Sequence, residues 1–253
     1  MEIIDSHIHI FSEGDEERFL EEASLSGVTG AVVMGNRSLA LKYHIYKGSM
    51  RYCAGLDSHT EWKADLNKTY DLLEQHLKRD KCAGIKLYPG YNNHYASDDI
   101  YRPIYELAER YKKPVAIHTG ETAFSQAQLK YCHPFTLDEV AATFPGVTFV
   151  MCHFGNPWFV DAAAVMRKNN NVSADLSGIL EGQVDIPAFF SEQAGYIGQM
   201  KTWLTYAGAY DRLMFGTDWP LVNIQDYIDF ISRIVPEKHH EAVFFGNARR
   251  IYG

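Results

Sequence analysis

Eight short apolar runs, rich in β-branched residues, recur along this chain, and most are followed by a longer stretch with helical spacing. The runs cover residues 3–10, 30–35, 51–57, 83–89, 114–120, 147–155, 172–178 and 213–219. Strand and helix alternating in this way build parallel sheets with crossover helices. Helical spacing follows residue 15 and recurs over 66–78, 100–111, 137–144, 161–169, 189–207 and 225–234, with 38–47 the least regular segment. Eight such units in 253 residues predict one closed (β/α)8 TIM barrel over residues 1–253. No Pro/Gly/Ser-rich linker or low-complexity tract divides the chain. A doubly wound open sheet uses the same alternation, but neither GxGxxG nor GxxxxGK[ST] follows the first run.

Local signals set some boundaries. Asp98 or Asp99 is positioned to cap the helix carrying Tyr105, Leu107 and Ala108, and Lys112-Lys113-Pro114 stops it. Thr136 followed by Glu139 has the spacing of a capping box.

The formal charge of −8, with no Lys/Arg block, argues against nucleic acid or an anionic membrane as the main partner. No apolar stretch is long enough to cross a bilayer, and the MEIIDSHIHIF start lacks a secretory pattern, so a cytoplasmic protein is expected. Cysteines at 53, 82, 132 and 152 show no CxxC spacing and read as reduced packing residues. The 16 Tyr and 14 Phe are scattered through the expected elements and read as packing.

Residues two apart in a strand face the same side, so His7 and His9 in DSHIH can converge on one ion. Alone, such a pair is weak evidence. His118 in VAIHTGE, His153 in FVMCHFG and Asp218 in MFGTDWP occupy the ends of three further strands, where barrels of this type build their sites. Each has a plain structural reading: a core histidine with one nitrogen satisfied, or a helix cap. Their coincidence at separate strand ends favours a metal site.

Taken together, DSHIHIF, GIKLYPGY, VAIHTGE, VMCHFG, FGTDWP and FFGNARRIYG resemble the amidohydrolase superfamily, in the amidohydrolase-related branch that also holds decarboxylases and lactonases. The resemblance implies that His7, His9, His118 and Asp218 are metal ligands. It implies that His153 binds a second metal or contacts water and substrate. Imidazoles with a carboxylate suit a divalent ion, zinc first, with one ion expected rather than two. Asp218 is then the proton carrier for water activated by the metal.

Lys86 in GIKLYP falls where relatives carry a carboxylated lysine or a glutamate, or neither. It is read first as a contact for a substrate anion, with a bridging carbamate and a packed stem as alternatives. Tyr88, Trp158 and Trp219 are expected in the substrate pocket, and Tyr91 and His94 share the loop of Tyr88. His44, His59, His76, His133, His239 and His240 read as surface or packing residues. The expected activity is hydrolysis of an amide, ester or lactone bond in a small anionic molecule. A metal-dependent decarboxylase is the alternative, a barrel that only binds a ligand is a remote third, and assembly into a homo-oligomer is left open.

Overall fold

The computed structural model describes residues 2–57 and 61–253. Eight parallel strands, β1 (Ile3–Ile8), β2 (Val28–Met34), β3 (Arg51–Leu56), β4 (Cys82–Leu87), β5 (Val115–Ile117), β6 (Phe149–Met151), β7 (Val172–Asp175) and β8 (Leu213–Met214), pair in chain order. The Ile8–Trp219 bridge and the Ser6 N–H to Phe215 carbonyl bond (3.0 Å) join the last strand to the first. The result is the TIM barrel that the alternation predicts. Its lumen is filled by small and medium side chains, among them Val32, Cys53, Ala83, Ala116, Val150 and Met214. Tyr252 and Ala248, from the helix that ends the chain, plug it from below. All four cysteines are buried and unbridged, and among the described residues no helix is long and apolar enough to cross a membrane.

The helices are α1 (Asp15–Ser26), α2 (Leu66–Leu77), α3 (Arg102–Tyr111), α4 (Phe135–Thr143), α5 (Phe159–Lys168), α6 (Ile186–Glu192), α7 (Ala194–Ala207), α8 (Ile224–Ile234) and α9 (Asn247–Tyr252). Four local expectations change. The 38–47 segment holds only a single 3-10 turn, Leu41–Tyr43. There the Ser38 carbonyl accepts from His44 Nε2 (2.9 Å) and the Leu39 carbonyl from His76 Nε2 (2.8 Å), so neither is free for a helical ladder. The stretch 189–207 is two helices, because Gln193 has ψ 29° and breaks the axis between α6 and α7. Thr136 lies inside α4, where its hydroxyl donates to the His133 carbonyl (2.9 Å), so no capping box forms. Asp98 accepts from the Tyr95 N–H (3.1 Å) and faces His94 (3.0 Å), while Pro103 opens α3. His59 lies outside the described residues.

His44 and His76 are buried between the loop after β2 and helix α2. The Tyr52 hydroxyl donates to His76 Nδ1 (2.9 Å), which fixes the His76 proton on Nε2. Burial, together with the neighbouring His76 ring, pushes His44 down to about 4. Its base is therefore kept neutral in the fold but titrates at about 6.5 when unfolded. Between these values the unfolded chain binds more protons, so stability rises with pH across the window and is complete above it. Thermal melts of chelator-treated protein should lose about 3 kcal/mol from this group on going from pH 7 to pH 4. His44→Phe should flatten that slope, and an unchanged slope would refute the assignment.

Candidate metal centre and cavity

The residues named from sequence collect at one end of the barrel. His7 lies in β1 and His9 just beyond it; His118, His153 and Asp218 follow β5, β6 and β8. The backbone there is held in unusual conformations, with φ 61° at His153 and φ 66° at Asp218. L-residues with positive φ are strained, and such strain persists where surrounding bonds enforce it. The His153 N–H donates to Asp175 Oδ1 (2.9 Å) and the Asp218 N–H to the His7 carbonyl (2.9 Å). Gly178, at φ 62°, leaves room for this cluster, since a Cβ there would stand 2.6 Å from His153 Nδ1.

The outer partners of the four imidazoles decide where their protons sit. His7 Nδ1 donates to the Asp175 carboxylate (3.0 Å), His9 Nδ1 to the Met34 carbonyl (3.0 Å) and His118 Nε2 to the Glu121 carbonyl (3.1 Å). His153 Nδ1 faces the Ser177 carbonyl (3.3 Å) and hydroxyl oxygen (2.9 Å), and that hydroxyl spends its own proton on Asp175. Carbonyls and carboxylates can only accept, so each ring carries its hydrogen outward and turns a lone pair inward. His7 Nε2 and His9 Nε2 approach Asp218 Oδ1 at 3.4 and 3.1 Å. His118 Nδ1 and His153 Nε2 face each other at 3.2 Å.

Burial keeps His7, His118 and His153 in their basic forms. It pushes His7 down to about 3, aided by the charge of Lys86 and opposed by Asp175, and holds His118 and His153 below the usual histidine range. Burial alone would raise Asp218, but His9, His7 and His153 outweigh it and keep the carboxyl well below its ordinary value. His7 Nε2 and Asp218 Oδ1 are buried with no hydrogen-bond partner. Each such atom costs about 1–3 kcal/mol unless something electropositive meets it. The atoms of His7, His9 and Asp218 lie within 4.8 Å of one another, and a tetrahedral zinc with bonds of about 2.0–2.1 Å would space its ligands by about 3.4 Å. The donor set fits a divalent cation.

Two groups that sequence reading passed over support the cluster. Asp175, the last residue of β7, accepts from His7, from the His153 and Ser177 N–H groups, and from the Ser177 hydroxyl. Its signal was present in VSADLSG, an acid at a strand end like the other four. Asp5 accepts from the Thr217 N–H (3.0 Å) and hydroxyl (2.6 Å) and from the His7 N–H (3.2 Å). Burial lifts its carboxyl to about 7 despite those bonds.

Above the cluster lie two cavity lobes of about 520 and 490 Å³, which share Tyr91, His118, His153 and Asp218. Lys86 lines the second lobe, wholly buried, with its amine 2.8 Å from Cys152 Sγ and no ion pair among the described residues. Arg37, half-buried in the same lobe, was not singled out from sequence. Tyr88 also lines this lobe, but its hydroxyl donates to the Gly35 carbonyl (2.7 Å). The two tryptophans stand elsewhere, contrary to expectation. Trp219 is buried against Phe19 and donates from Nε1 to Glu22 (3.0 Å), because the chain after Asp218 turns outward toward α1. Trp158 packs on His133 in a separate groove with Tyr95, Leu129 and Phe135. His94 pairs with Asp98 and lines neither lobe.

The Amidohydrolase family model matches residues 36–253. The chain belongs to the amidohydrolase family. The match begins after His7 and His9. No curated protein matches the sequence. Solved structures align with its fold. An uncharacterized TIM-barrel protein from Bordetella bronchiseptica aligns with TM-score 0.71 at 19% identity, over 99% of this chain and 98% of the other. A 5-carboxyvanillate decarboxylase from Sphingomonas paucimobilis gives 0.68 at 12%, over 100% and 98%. A probable 2-pyrone-4,6-dicarboxylic acid hydrolase from Acinetobacter baumannii, with citric acid bound, gives 0.65 at 16%, over 100% of both chains. Zinc and manganese are bound in two further matched structures. At these identities the likeness establishes the fold.

Asp175→Asn keeps the shape but puts an amide where the His7 proton is received. Zinc affinity, measured by competition with a chromophoric chelator, should fall about 10–100-fold, the usual cost of losing a carboxylate that orients a ligating histidine. Wild-type affinity in this variant would show that Asp175 only braces the barrel.

Proposed function

We propose that this protein is a metal-dependent hydrolase that opens an amide, ester or lactone bond in a small anionic molecule. The observation that carries this reading is the convergence of four imidazoles, each with its outer nitrogen bonded to the scaffold, on the Asp218 carboxylate, with His7 Nε2 and Asp218 Oδ1 buried and unpartnered. His7, His9 and Asp218 would hold one ion, with His118 and His153 beside it; imidazole and carboxylate donors make zinc the first choice. When bound, a divalent ion supplies Lewis acidity and a water that ionises near neutral pH. Asp218, kept ionised and open to the cavity, takes a proton from the attacking water and returns it to the leaving group. Lys86 and Arg37 line one lobe together with Asp57 and Asp218, and those two cations are the groups that would receive a substrate anion.

Decarboxylation is the second reading, because decarboxylases recur among the matched structures and their fold is the same. The two separate in one experiment. Zinc- and manganese-loaded protein is offered a panel of lactones, esters and aromatic carboxylates, and both acid release and CO2 are followed. Acid release with one oxygen taken from labelled water is expected; CO2 release without it would replace hydrolysis by decarboxylation.

On the substrate so found, Asp218→Asn should cut kcat by about 10²-fold or more, the scale of general acid–base catalysis. Undiminished turnover at full metal content would remove Asp218 from proton transfer. Lys86→Met should raise KM by about tenfold or more with metal content unchanged, as loss of a hydrogen bond to a charged group does. Loss of metal in Lys86→Met would instead place a carboxylated Lys86 between two ions.

A further inference from the structure

Tyr88 and Tyr91 stand on the same loop after β4, yet their hydroxyls differ in what they have left to give. The Tyr88 proton is spent on the Gly35 carbonyl. Tyr91 Oη instead accepts, from the Ala123 N–H at 2.9 Å, and no acceptor for its own proton is present among the described residues. Its ring lies 4.9 Å from that of His118 and 5.7 Å from that of Phe124, which fixes the phenol between the loops after β4 and β5. Tyr91 also lines both lobes, as His118, His153 and Asp218 do.

We infer that Tyr91 is a catalytic residue whose O–H donates a hydrogen bond to the substrate oxygen that gains negative charge as the scissile bond is attacked. The inference rests on the proposed hydrolysis and adds a group to it. A hydroxyl that accepts an N–H is polarised and becomes a better donor, so the Ala123 amide both aims the phenol and strengthens it. A donor fixed before reaction, at the place where charge develops, stabilises the transition state more than the bound substrate. No proton changes hands: Tyr91 keeps its hydrogen, and proton transfer stays with Asp218.

The test uses zinc-loaded protein, its metal content measured on the same sample, and phenylphosphonate as an oxyanion probe titrated by calorimetry. Tyr91→Phe retains the ring against His118 and removes the donor, so the probe should bind about 10–100-fold more weakly, the range for a hydrogen bond to a charged group. That variant also removes the acceptor of Ala123, so 3-fluorotyrosine placed at position 91 separates the two roles. The fluorinated phenol donates more strongly and accepts more weakly. Tighter probe binding than wild type supports the inference; weaker binding means that Tyr91 only latches the loop, and overturns it. Wild-type affinity in Tyr91→Phe overturns it as well, and so does a zinc-loaded wild type that fails to hold the probe. A protein that takes up no zinc overturns the hydrolase reading itself, which the metal measurement reveals before any probe is added.

Discussion

Asp175 is the interaction on which the rest of the site depends. Its carboxylate receives the His7 proton from β1, the His153 amide after β6 and the Ser177 hydroxyl beyond β7. One buried anion therefore ties three strands together and decides the tautomer of the ring most deeply placed among the candidate ligands. The His153 tautomer follows from the same group, because Ser177 gives its proton to Asp175 and can only accept from His153. Burial would lift the Asp175 carboxyl, but His7, His153 and Lys86 hold it low, so it remains a strong acceptor. Such an arrangement readies a histidine for a metal: the outer hydrogen bond is supplied by the scaffold, and the inner nitrogen is left with a lone pair.

The left-handed backbone at His153 and Asp218 belongs to the same construction. A strand that ran on regularly would alternate its side chains and carry these two groups past the cluster. Bending the chain at both strand ends directs them inward, and the buried amide bonds to Asp175 and to the His7 carbonyl hold the bend. Gly178 completes the arrangement from β7, because any side chain would occupy the place of the His153 ring. Strain, orientation and the choice of glycine are thus one problem with one solution.

The barrel was legible because periodicity reports burial, and burial is what a strand or crossover helix must satisfy. The convergence of His7, His9 and Asp218 was legible because strand ends gather at one face. Harder to read were effects that depend on a partner distant in sequence. His44 and His76 take carbonyls that a helix over 38–47 would have needed, and nothing local announces this. Trp219 follows Asp218 directly, but the left-handed turn at Asp218 sends it outward to Glu22, 197 positions away in sequence. Asp175 carried the same strand-end signal as the other candidates and was passed over because an acid is a weaker marker of a metal site than a histidine. Arg37 and Tyr91 become distinct only when their neighbours are known, since an unspent donor cannot be recognised without its surroundings.

Charge ties the number of ions that the cluster could hold to the state of Lys86. Asp175 and Asp218 are both held ionised, and Lys86 contributes a buried positive charge without a carboxylate partner among the described residues. These three leave the cluster with one net negative charge. A single divalent cation turns the balance to one positive, which a substrate anion beside Arg37 and Lys86 then cancels. A second divalent cation would leave a large excess in a buried site unless Lys86 lost its charge. That loss would require the amine to leave Cys152 and become a carbamate held by the two ions it bridged, which brings the balance back to one positive. Charge thus couples the two questions: a plain Lys86 goes with one ion, a carbamate with two.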